Sequence, residues 1–240
     1  MKHFKKKVII ACCGFASVLF AALSVRSSAS VAVMADNVKN GDVYPTVVID
    51  PGHGGEDGGA SSERGLLEKN INLDISLYLR DFLESSGFRV VMTRDKDEQI
   101  YDENCNNLRD KKVSDTHNRL NICNKVENCI YVSVHQNIFT DSKYSGAQVF
   151  YSPNLAESKI LAESIRCSIV NLLQPENKRA IISSDENIYI LHNAKNPCVL
   201  VECGFLSNYN ESVLLSTDRY KKQMAFSVYL GIMDYCYNNY

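Results

Sequence analysis

The feature that most constrains the fold is an alternation of short apolar runs with longer segments of helical periodicity, from about Tyr44 to the C-terminus. Six short runs predict β-strands; they are 46–50, 89–93, 130–135, 147–151, 188–191 and 198–202. Strands separated by helices favour a parallel sheet, because a connection between parallel strands must return along the sheet. We therefore expect one α/β domain with a central, mainly parallel β-sheet flanked by helices on both faces.

Three apolar stripes with a spacing of three or four residues predict the helices that cover this sheet. The stripes are Leu67, Ile71, Ile75, Tyr78, Leu79 and Phe82, then Leu161, Ile165, Ile169 and Leu172, then Tyr220, Met224, Val228 and Ile232. The first helix is expected to end at Gly87, a residue that suits a helix C-terminus. Residues 95–115 are charged and rich in Asn, and we expect them to form the least ordered part, a surface excursion.

The first 26 residues have a different character from the rest of the chain. Four lysines precede an uncharged run of 18 residues, 8–25, which Arg26 closes, and this order is typical of an export signal. A run of this length is near the lower limit for spanning a bilayer. Residues 1–35 are therefore predicted to be a cleaved signal peptide or an uncleaved anchor that tethers the protein to the membrane. Residues 36–45 then lead into a catalytic domain over 46–240.

Charge and cysteine content exclude several classes of protein. The net charge of −2, with 26 Lys and Arg against 28 Asp and Glu, supplies no general basic field for nucleic acid. Nine cysteines in an exported chain would ordinarily indicate disulfides. Two of them lie in the apolar run, and the other seven include no C-x-x-C pair, which argues against a thiolate zinc site. Most of these seven cysteines are expected to be small buried hydrophobic residues. One disulfide that involves Cys105 is left as an alternative.

Polar residues follow three of the predicted strands at their carboxyl ends, where an open α/β sheet collects its chemistry. His53 lies in a glycine-rich loop after the first strand, His135 ends the third and Glu202 ends the last. Glu68 belongs to the first turn of the first predicted helix, which faces the same edge. A carboxylate is common at that position for dipole reasons alone, so Glu68 matters only together with the other three.

Two neutral imidazoles and one carboxylate are a typical catalytic zinc set that leaves a fourth position open for water. A further carboxylate beside that water can act as general base and then general acid. Nitrogen ligands favour Zn²⁺ over Mg²⁺. The residue types do not decide which of Glu68 and Glu202 is the ligand and which is the base.

The remaining acidic and imidazole groups near these strand ends are weaker candidates. Asp50 is assigned to a turn or to a position that supports the metal ligands, and Asp57 to a solvated loop. His117 and His192 are expected on polar surface or in supporting positions.

Four motifs in series resemble those of the zinc-dependent N-acetylmuramoyl-L-alanine amidases of the Amidase_3 type. They are IDPGHGG from Ile49, GLLEKN from Gly65, SVHQN from Ser133 and VECGFLSN from Val201. The resemblance covers about residue 46 to the C-terminus and implies a single α/β domain. It also implies that His53, Glu68 and His135 are zinc ligands and that Glu202 is the catalytic glutamate.

Within this family, SVHQN, the short step to GAQVFY at Gly146 and the apolar N-terminus resemble the germination-specific amidases of spore-forming bacteria. That resemblance implies hydrolysis of the amide between N-acetylmuramic acid and L-alanine in spore-cortex peptidoglycan, the first step towards muramic-δ-lactam. It implies an enzyme exported to the outer side of the membrane, such as the intermembrane space of the forespore. Gln136 stands where a small residue is frequent, and we expect it to alter the substrate groove.

Three alternatives share these residues. The enzyme could act on vegetative cell wall as an autolysin, or it could be a zinc peptidase that cuts within the stem peptide. A non-catalytic binder of peptidoglycan or of a partner protein is the third. The full set of four residues argues against a binder, because binding requires neither a complete ligand set nor an additional carboxylate. Dependence on an activating protein partner stays open.

Overall fold

A computed structural model of the chain describes residues 44–240, and the predicted signal or anchor therefore lies outside the described residues. The strands are β1 (Thr46–Pro51), β2 (Val90–Met92), β3 (Cys129–Asn137), β4 (Gln148–Tyr151), β5 (Ile182–Ser183) and β6 (Cys198–Phe205). The helices are α1 (Glu68–Ser85), α2 (Leu108–Lys125), α3 (Ala156–Leu172), α4 (Tyr189–Asn193), α5 (Tyr209–Leu215) and α6 (Asp218–Asn239). Within the described range, no helix has both the length and the apolar character needed to cross a bilayer.

The six strands form one sheet in the order β2-β1-β3-β6-β4-β5. The pairs β1–β2, β1–β3, β3–β6 and β4–β5 are parallel, and only β4–β6 is antiparallel. The predicted α/β fold with a mainly parallel sheet is therefore confirmed. Because β1, β3 and β6 are adjacent and parallel, their carboxyl ends lie side by side at one edge of the sheet.

The sheet is covered on both faces, as predicted. Helices α1, α3 and α6 pack on the first face, where residues such as Val47, Ile49 and Val132 are fully buried. Helices α2 and α4 cover the second face, where Val48 and Tyr131 are buried. Side chains alternate along a strand with a period of two, so β1, β3 and β6 also direct Asp50, Ser133, His135 and Glu202 to this second face. Apart from these residues near the strand ends, both faces are apolar, as expected for central parallel strands.

The strand predicted over 188–191 is wrong. Ile188 precedes the short helix α4, whose residue Leu191 is fully buried against the second face. A run of four apolar residues cannot be distinguished from one buried helical turn by periodicity. The remaining strand of the sheet is instead β5, Ile182–Ser183, an exposed two-residue edge strand that pairs with β4.

The surface excursion expected over 95–115 is only partly correct, because α2 begins at Leu108 and Asp115 is buried. The side chain of Asn107 caps the helix by accepting a hydrogen bond from the Asp110 backbone N–H, at 2.9 Å. Two of the four buried residues of α2, Asp115 and Arg119, are charged. The helix therefore lacks the apolar stripe by which a covering helix is usually recognised.

Most of the described cysteines are buried, as predicted, and all seven within residues 44–240 are free thiols. Five are buried: Cys123, Cys129, Cys198, Cys203 and Cys236. The last two belong to the core of the first face, and the first three to the core of the second.

Close packing of α6 on α3 depends on Gly231, and we predict that Gly231→Ala destabilises the fold. An added Cβ would lie 2.8 Å from the Ile165 backbone nitrogen and 2.9 Å from the Ser164 carbonyl oxygen. Alanine favours a helix over glycine by about 1 kcal/mol, but overpacking against backbone costs about 1–3 kcal/mol. Urea denaturation should show a net loss in the free energy of unfolding. Gln223→Ala, at an exposed position of α6, is the control and should leave stability nearly unchanged.

Candidate active site and metal centre

The loop after β1 brings backbone and imidazole groups unusually close together. A Cβ on Gly52 would overlap the His135 ring, so only glycine fits there. His53 adopts a φ of 62°, in the left-handed region, and is followed by two glycines with positive φ. This turn directs the His53 ring back over the carboxyl edge of the sheet, towards β3.

Three of the residues identified from sequence lie together at this edge. Donor atoms of His53, Glu68 and His135 all lie within 4.8 Å of one another. One Glu68 carboxylate oxygen, Oε2, is 3.3 Å from His53 Nε2, and the other, Oε1, is 2.9 Å from His135 Nδ1. The structure thus groups Glu68, rather than Glu202, with the two imidazoles.

Glu68 is held in place by further hydrogen bonds. The backbone N–H groups of Ala60 and Gln136 donate to its two oxygens, at 2.8 and 3.0 Å, and Asn72 Nδ2 donates at 3.3 Å. Burial by itself would raise the pKa of Glu68, but the hydrogen bonds from His135 and His53 outweigh it and hold that pKa well below its usual range. The carboxylate is therefore ionised, as a metal ligand must be.

Gln136 does not line a groove, contrary to expectation. Its side chain is buried, and its Nε2 donates to Asn72 Oδ1 at 3.2 Å. Asn72 also donates to Glu68. Gln136 therefore positions the carboxylate in two ways: its backbone N–H donates to Glu68, and its side chain holds Asn72.

Asp57 has a more specific role than a solvated loop residue. Its Oδ2 lies 2.9 Å from His53 Nδ1, the ring nitrogen that faces away from Glu68. A backbone bridge between Gly54 and Asp57 closes the loop and places this carboxylate. Burial lowers the pKa of His53, but the hydrogen bonds to Asp57 and Glu68 raise it to about 9. The sequence signal is the spacing of four residues between His53 and Asp57 in a glycine-rich turn.

Asp50 has a structural role at the same edge of the sheet, as the sequence suggested. Its carboxylate, 1% exposed, accepts hydrogen bonds from the Thr93 hydroxyl, the Ser133 hydroxyl and Arg119 Nη1, each at 2.6 Å. Burial would raise the pKa of Asp50, but the Arg119 guanidinium and the two hydroxyls hold it well below its usual range. Strands β1 and β3 and helix α2 are thereby joined through one ionised carboxylate.

Glu202 occupies the position opposite His135 on the neighbouring strand β6. Its Oε2 atom is buried and has no hydrogen-bond partner. Burial raises the pKa of Glu202 to about 7, with the imidazole of His135 acting in the opposite direction. A carboxyl group with a pKa near neutrality can both take and return a proton, although a bound cation nearby would lower this value.

A cavity of about 530 Å³ opens beside these groups on the second face. His53 and His135 form its floor, and its wall comes from α2 and from the segment around α4. On that wall the exposed His117 ring stacks on Tyr189, with centroids 4.9 Å apart. His192 is exposed on α4. Both histidines therefore lie outside the cluster, as expected.

The three clustered residues fit a metal ion on chemical grounds. They offer two imidazole nitrogens and an ionised carboxylate, and each ligand is oriented by a second contact or by close packing: Asp57 on His53, Asn72 on Glu68 and Gly52 against His135. Outer contacts of this kind are typical of metal sites. The cluster can therefore hold a metal, with Glu202 beside it on the adjacent strand.

Comparison with known proteins agrees with this geometry. Residues 47–234 match the family of N-acetylmuramoyl-L-alanine amidases, Amidase_3. The chain belongs to this family. The predicted family is therefore confirmed, and with it the prediction of an amidase.

Individual relatives extend the likeness. The germination-specific N-acetylmuramoyl-L-alanine amidase of Bacillus subtilis is 36% identical over 189 residues, which cover 79% of this chain and 78% of the relative. The N-acetylmuramoyl-L-alanine amidase LytC of the same organism is 29% identical over 84% of this chain, a match that spans only 38% of LytC.

Solved structures share the fold. The CwlD amidase of Clostridioides difficile, in complex with the GerS lipoprotein, superposes with a TM-score of 0.78 at 38% identity, over 81% of this chain and all of that chain. The amidase AmiC2 of Nostoc punctiforme superposes with a TM-score of 0.68 at 30% identity, over 80% of this chain and 96% of that chain.

We predict that Asp57→Asn weakens metal affinity by about 10- to 100-fold, because the amide replaces the charged acceptor that orients and polarises His53. Competition with a chromophoric chelator measures this affinity. Glu56→Gln is the matched control, since Glu56 is the exposed neighbour and pairs with Lys111 rather than with a ligand. An equal loss in both variants would show a general charge effect and contradict the role given to Asp57.

Proposed function

We propose that the protein is a zinc-dependent hydrolase of the amide between N-acetylmuramic acid and L-alanine in peptidoglycan. The observation that carries the proposal is the His53–Glu68–His135 cluster with Glu202 opposite His135, in a chain that belongs to the amidase family. Two nitrogen donors favour zinc over the oxygen-seeking cations.

In this proposal His53, Glu68 and His135 hold the metal. When bound, zinc supplies a Lewis acid that lowers the pKa of water and polarises a carbonyl oxygen. Glu202 takes a proton from the attacking water and returns it to the departing alanine nitrogen. Its free Oε2 and its raised pKa suit both steps. Asp57 keeps the Nδ1–H of His53 directed outward, so that Nε2 faces the other ligands.

We further propose that the substrate is spore-cortex peptidoglycan and that cleavage is the first step towards muramic-δ-lactam. Support comes from the germination-specific relative, which the chain matches over most of its length, and from the likeness to CwlD. Vegetative cell wall is the alternative substrate, supported by the weaker match to LytC.

The setting of the enzyme is part of the proposal. Residues 1–35 would export or anchor the chain, and residues 46–240 would act on the outer side of the membrane, in the forespore intermembrane space if cortex is the substrate. The complex of the CwlD neighbour with a lipoprotein supports a protein partner for this chain too.

We predict that His53→Ala, Glu68→Ala and His135→Ala each lose zinc, because each removes one of three protein ligands. Plasma emission spectrometry of the purified protein should give about one zinc per chain for the wild type and far less for each variant. Glu202→Gln should retain the metal, since Glu202 is assigned to proton transfer. Unchanged zinc content in the three variants would refute the ligand set.

We predict that Glu202→Gln lowers turnover by about 10²- to 10⁴-fold, the usual contribution of a positioned acid–base group. Mass spectrometry of muropeptides should show release of intact stem peptides by the wild type. Shortened stems would indicate a peptidase, and no change with zinc and a partner present would favour a binder. Cortex and vegetative material digested in parallel distinguish the two substrates.

A further inference from the structure

Arg179 occupies an unusual position near the active site. Its guanidinium carbon lies 4.7 Å from the centre of the Phe205 ring and 5.9 Å from that of Tyr144. Its Nε donates to the Ser145 carbonyl at 2.9 Å, and its Nη1 to Gln148 Oε1 at 3.4 Å. The side chain is half-buried and is therefore held in one orientation by rings below and acceptors beside it.

The contacts of Arg179 lead directly to the catalytic edge of the sheet. Gln148 pairs with Glu202 across the antiparallel strands β4 and β6. Side chains of paired residues share a face, with Cβ atoms about 5 Å apart. Phe205 pairs with Asn137, two residues beyond His135. Arg179 is thus linked to Glu202 through Gln148, on the β4 side of β6 and not on the β3 side where His135 lies.

The hydrogen bonds of Arg179 do not pair its charge with a carboxylate. Both of its hydrogen-bond acceptors are neutral oxygens, and neither bond uses Nη2. Glu211 is nearby, but its two oxygens already accept from the backbone N–H groups of Gly146 and Phe205, at 2.9 and 2.8 Å. Among the described residues Arg179 forms no direct ion pair, although its charge opposes the burial that raises the pKa of Glu211. Its Nη2 is therefore available to an external anion.

The space in front of Arg179 can admit such a group. A cavity of about 480 Å³ is lined by Arg179, Ser145, Gly146, the segment 174–178 and Glu211. Two cations, Lys178 and Arg179, and two carboxylates, Glu176 and Glu211, therefore face it. It contains none of the proposed metal ligands, so it is separate from the cavity beside His53. An extended substrate whose scissile amide lies beside Glu202 could reach it in one direction along the sheet edge.

We propose that Arg179 binds a carboxylate of the stem peptide and so determines specificity for acidic over amidated stems. This inference rests on the proposed function, which makes a peptide with free carboxylates the leaving group. A guanidinium pairs with a carboxylate through two parallel N–H···O bonds, and its Nη2 is free for this purpose. The role is one of binding and positioning, because Arg179 does not touch the bond that is cleaved.

The test compares two synthetic substrates, a muramoyl peptide with free carboxylates and the same peptide with each carboxylate converted to a primary amide. Wild-type enzyme, loaded with zinc, should prefer the acid by about 10- to 100-fold in kcat/KM, the range of a charge-assisted hydrogen bond. In Arg179→Gln the preference should vanish through a higher KM for the acid, with kcat/KM for the amide within about twofold of wild type. Arg179→Lys, which keeps the charge but loses the planar fork, should restore part of the preference.

Lys178→Gln provides the matched control, because Lys178 is an exposed cation that lines the same cavity. It should retain the wild-type preference. If Lys178→Gln abolished the preference equally, the preference would come from the general positive electrostatic field of the cavity and not from a carboxylate-binding site at Arg179. If Arg179→Gln impaired both substrates alike, Arg179 would serve only to hold the loop at Ser145, and the inference would be overturned.

A binding measurement separates this inference from the proposed activity. Calorimetry with zinc-loaded Glu202→Gln protein gives the affinity for both peptides without turnover. Tighter binding of the acid, lost in Glu202→Gln/Arg179→Gln, would support the site even if the wild type cleaved neither peptide, an outcome that refutes the amidase proposal alone. Equal affinity for acid and amide in Glu202→Gln would overturn the carboxylate site even if cleavage were observed.

Discussion

The active edge of this protein depends on the buried ion pair between Asp50 and Arg119, whose atoms are 2.6 Å apart. Arg119 also donates to the backbone oxygens of Pro51 and His53, both at 2.7 Å. A second buried arginine, Arg94, donates to the oxygens of Pro51 and Gly52. The loop that carries His53 is therefore fixed by charged groups and not by apolar packing. Removing one partner of such a pair would leave the other charge buried and unpaired, which costs about 3–5 kcal/mol.

This arrangement explains why α2 is an unusual covering helix. Its inward face carries Asp115 and Arg119, which bond to each other at 2.7 Å, so its contact with the sheet is partly electrostatic. The helix covers the second face of the sheet, the face on which Asp50 and Ser133 lie. The cost of burying these charges is offset because each charged group has several partners. Helix α1 differs from α2 because its buried face is mainly apolar. The buried carboxylate of α1, Glu68, belongs to the first residue of the helix.

The carboxylates at the edge differ in pKa because their surroundings differ. Glu68 is in contact with two imidazoles and three further donors, and its pKa is depressed. Glu202 is buried on a neighbouring strand with one oxygen unpartnered, and its pKa is raised to about 7. One environment suits a permanently charged ligand and the other a group that exchanges a proton. Two cavities are present among the described residues, one lined by His53, His135 and the segment around α4 and the other by Arg179.

The sequence alone determined the fold class and most of the elements, and it indicated the four residues on which the proposed function rests. Apolar periodicity located five of the six predicted strands and the three long apolar helices, and the polar residues at strand ends indicated His53, His135 and Glu202. The run over 188–191 was mistaken for a strand because four apolar residues fit either a strand or a buried helical turn. Helix α2 was not predicted, because its buried face is charged and carries no apolar stripe.

Only the tertiary structure decided how the polar groups are connected. It grouped Glu68 with the imidazoles and paired Asp57 with His53. It also buried Gln136 against Asn72 and joined Arg179 to Gln148, the cross-strand neighbour of Glu202. The physical reason is that apolar periodicity shows which side chains are buried on folding. A hydrogen bond, in contrast, depends on where segments distant in sequence meet. Arg179 and Phe205 are 26 positions apart, and Asp50 and Arg119 are 69 apart. No local pattern specifies such pairs, because sheet order and loop path place them.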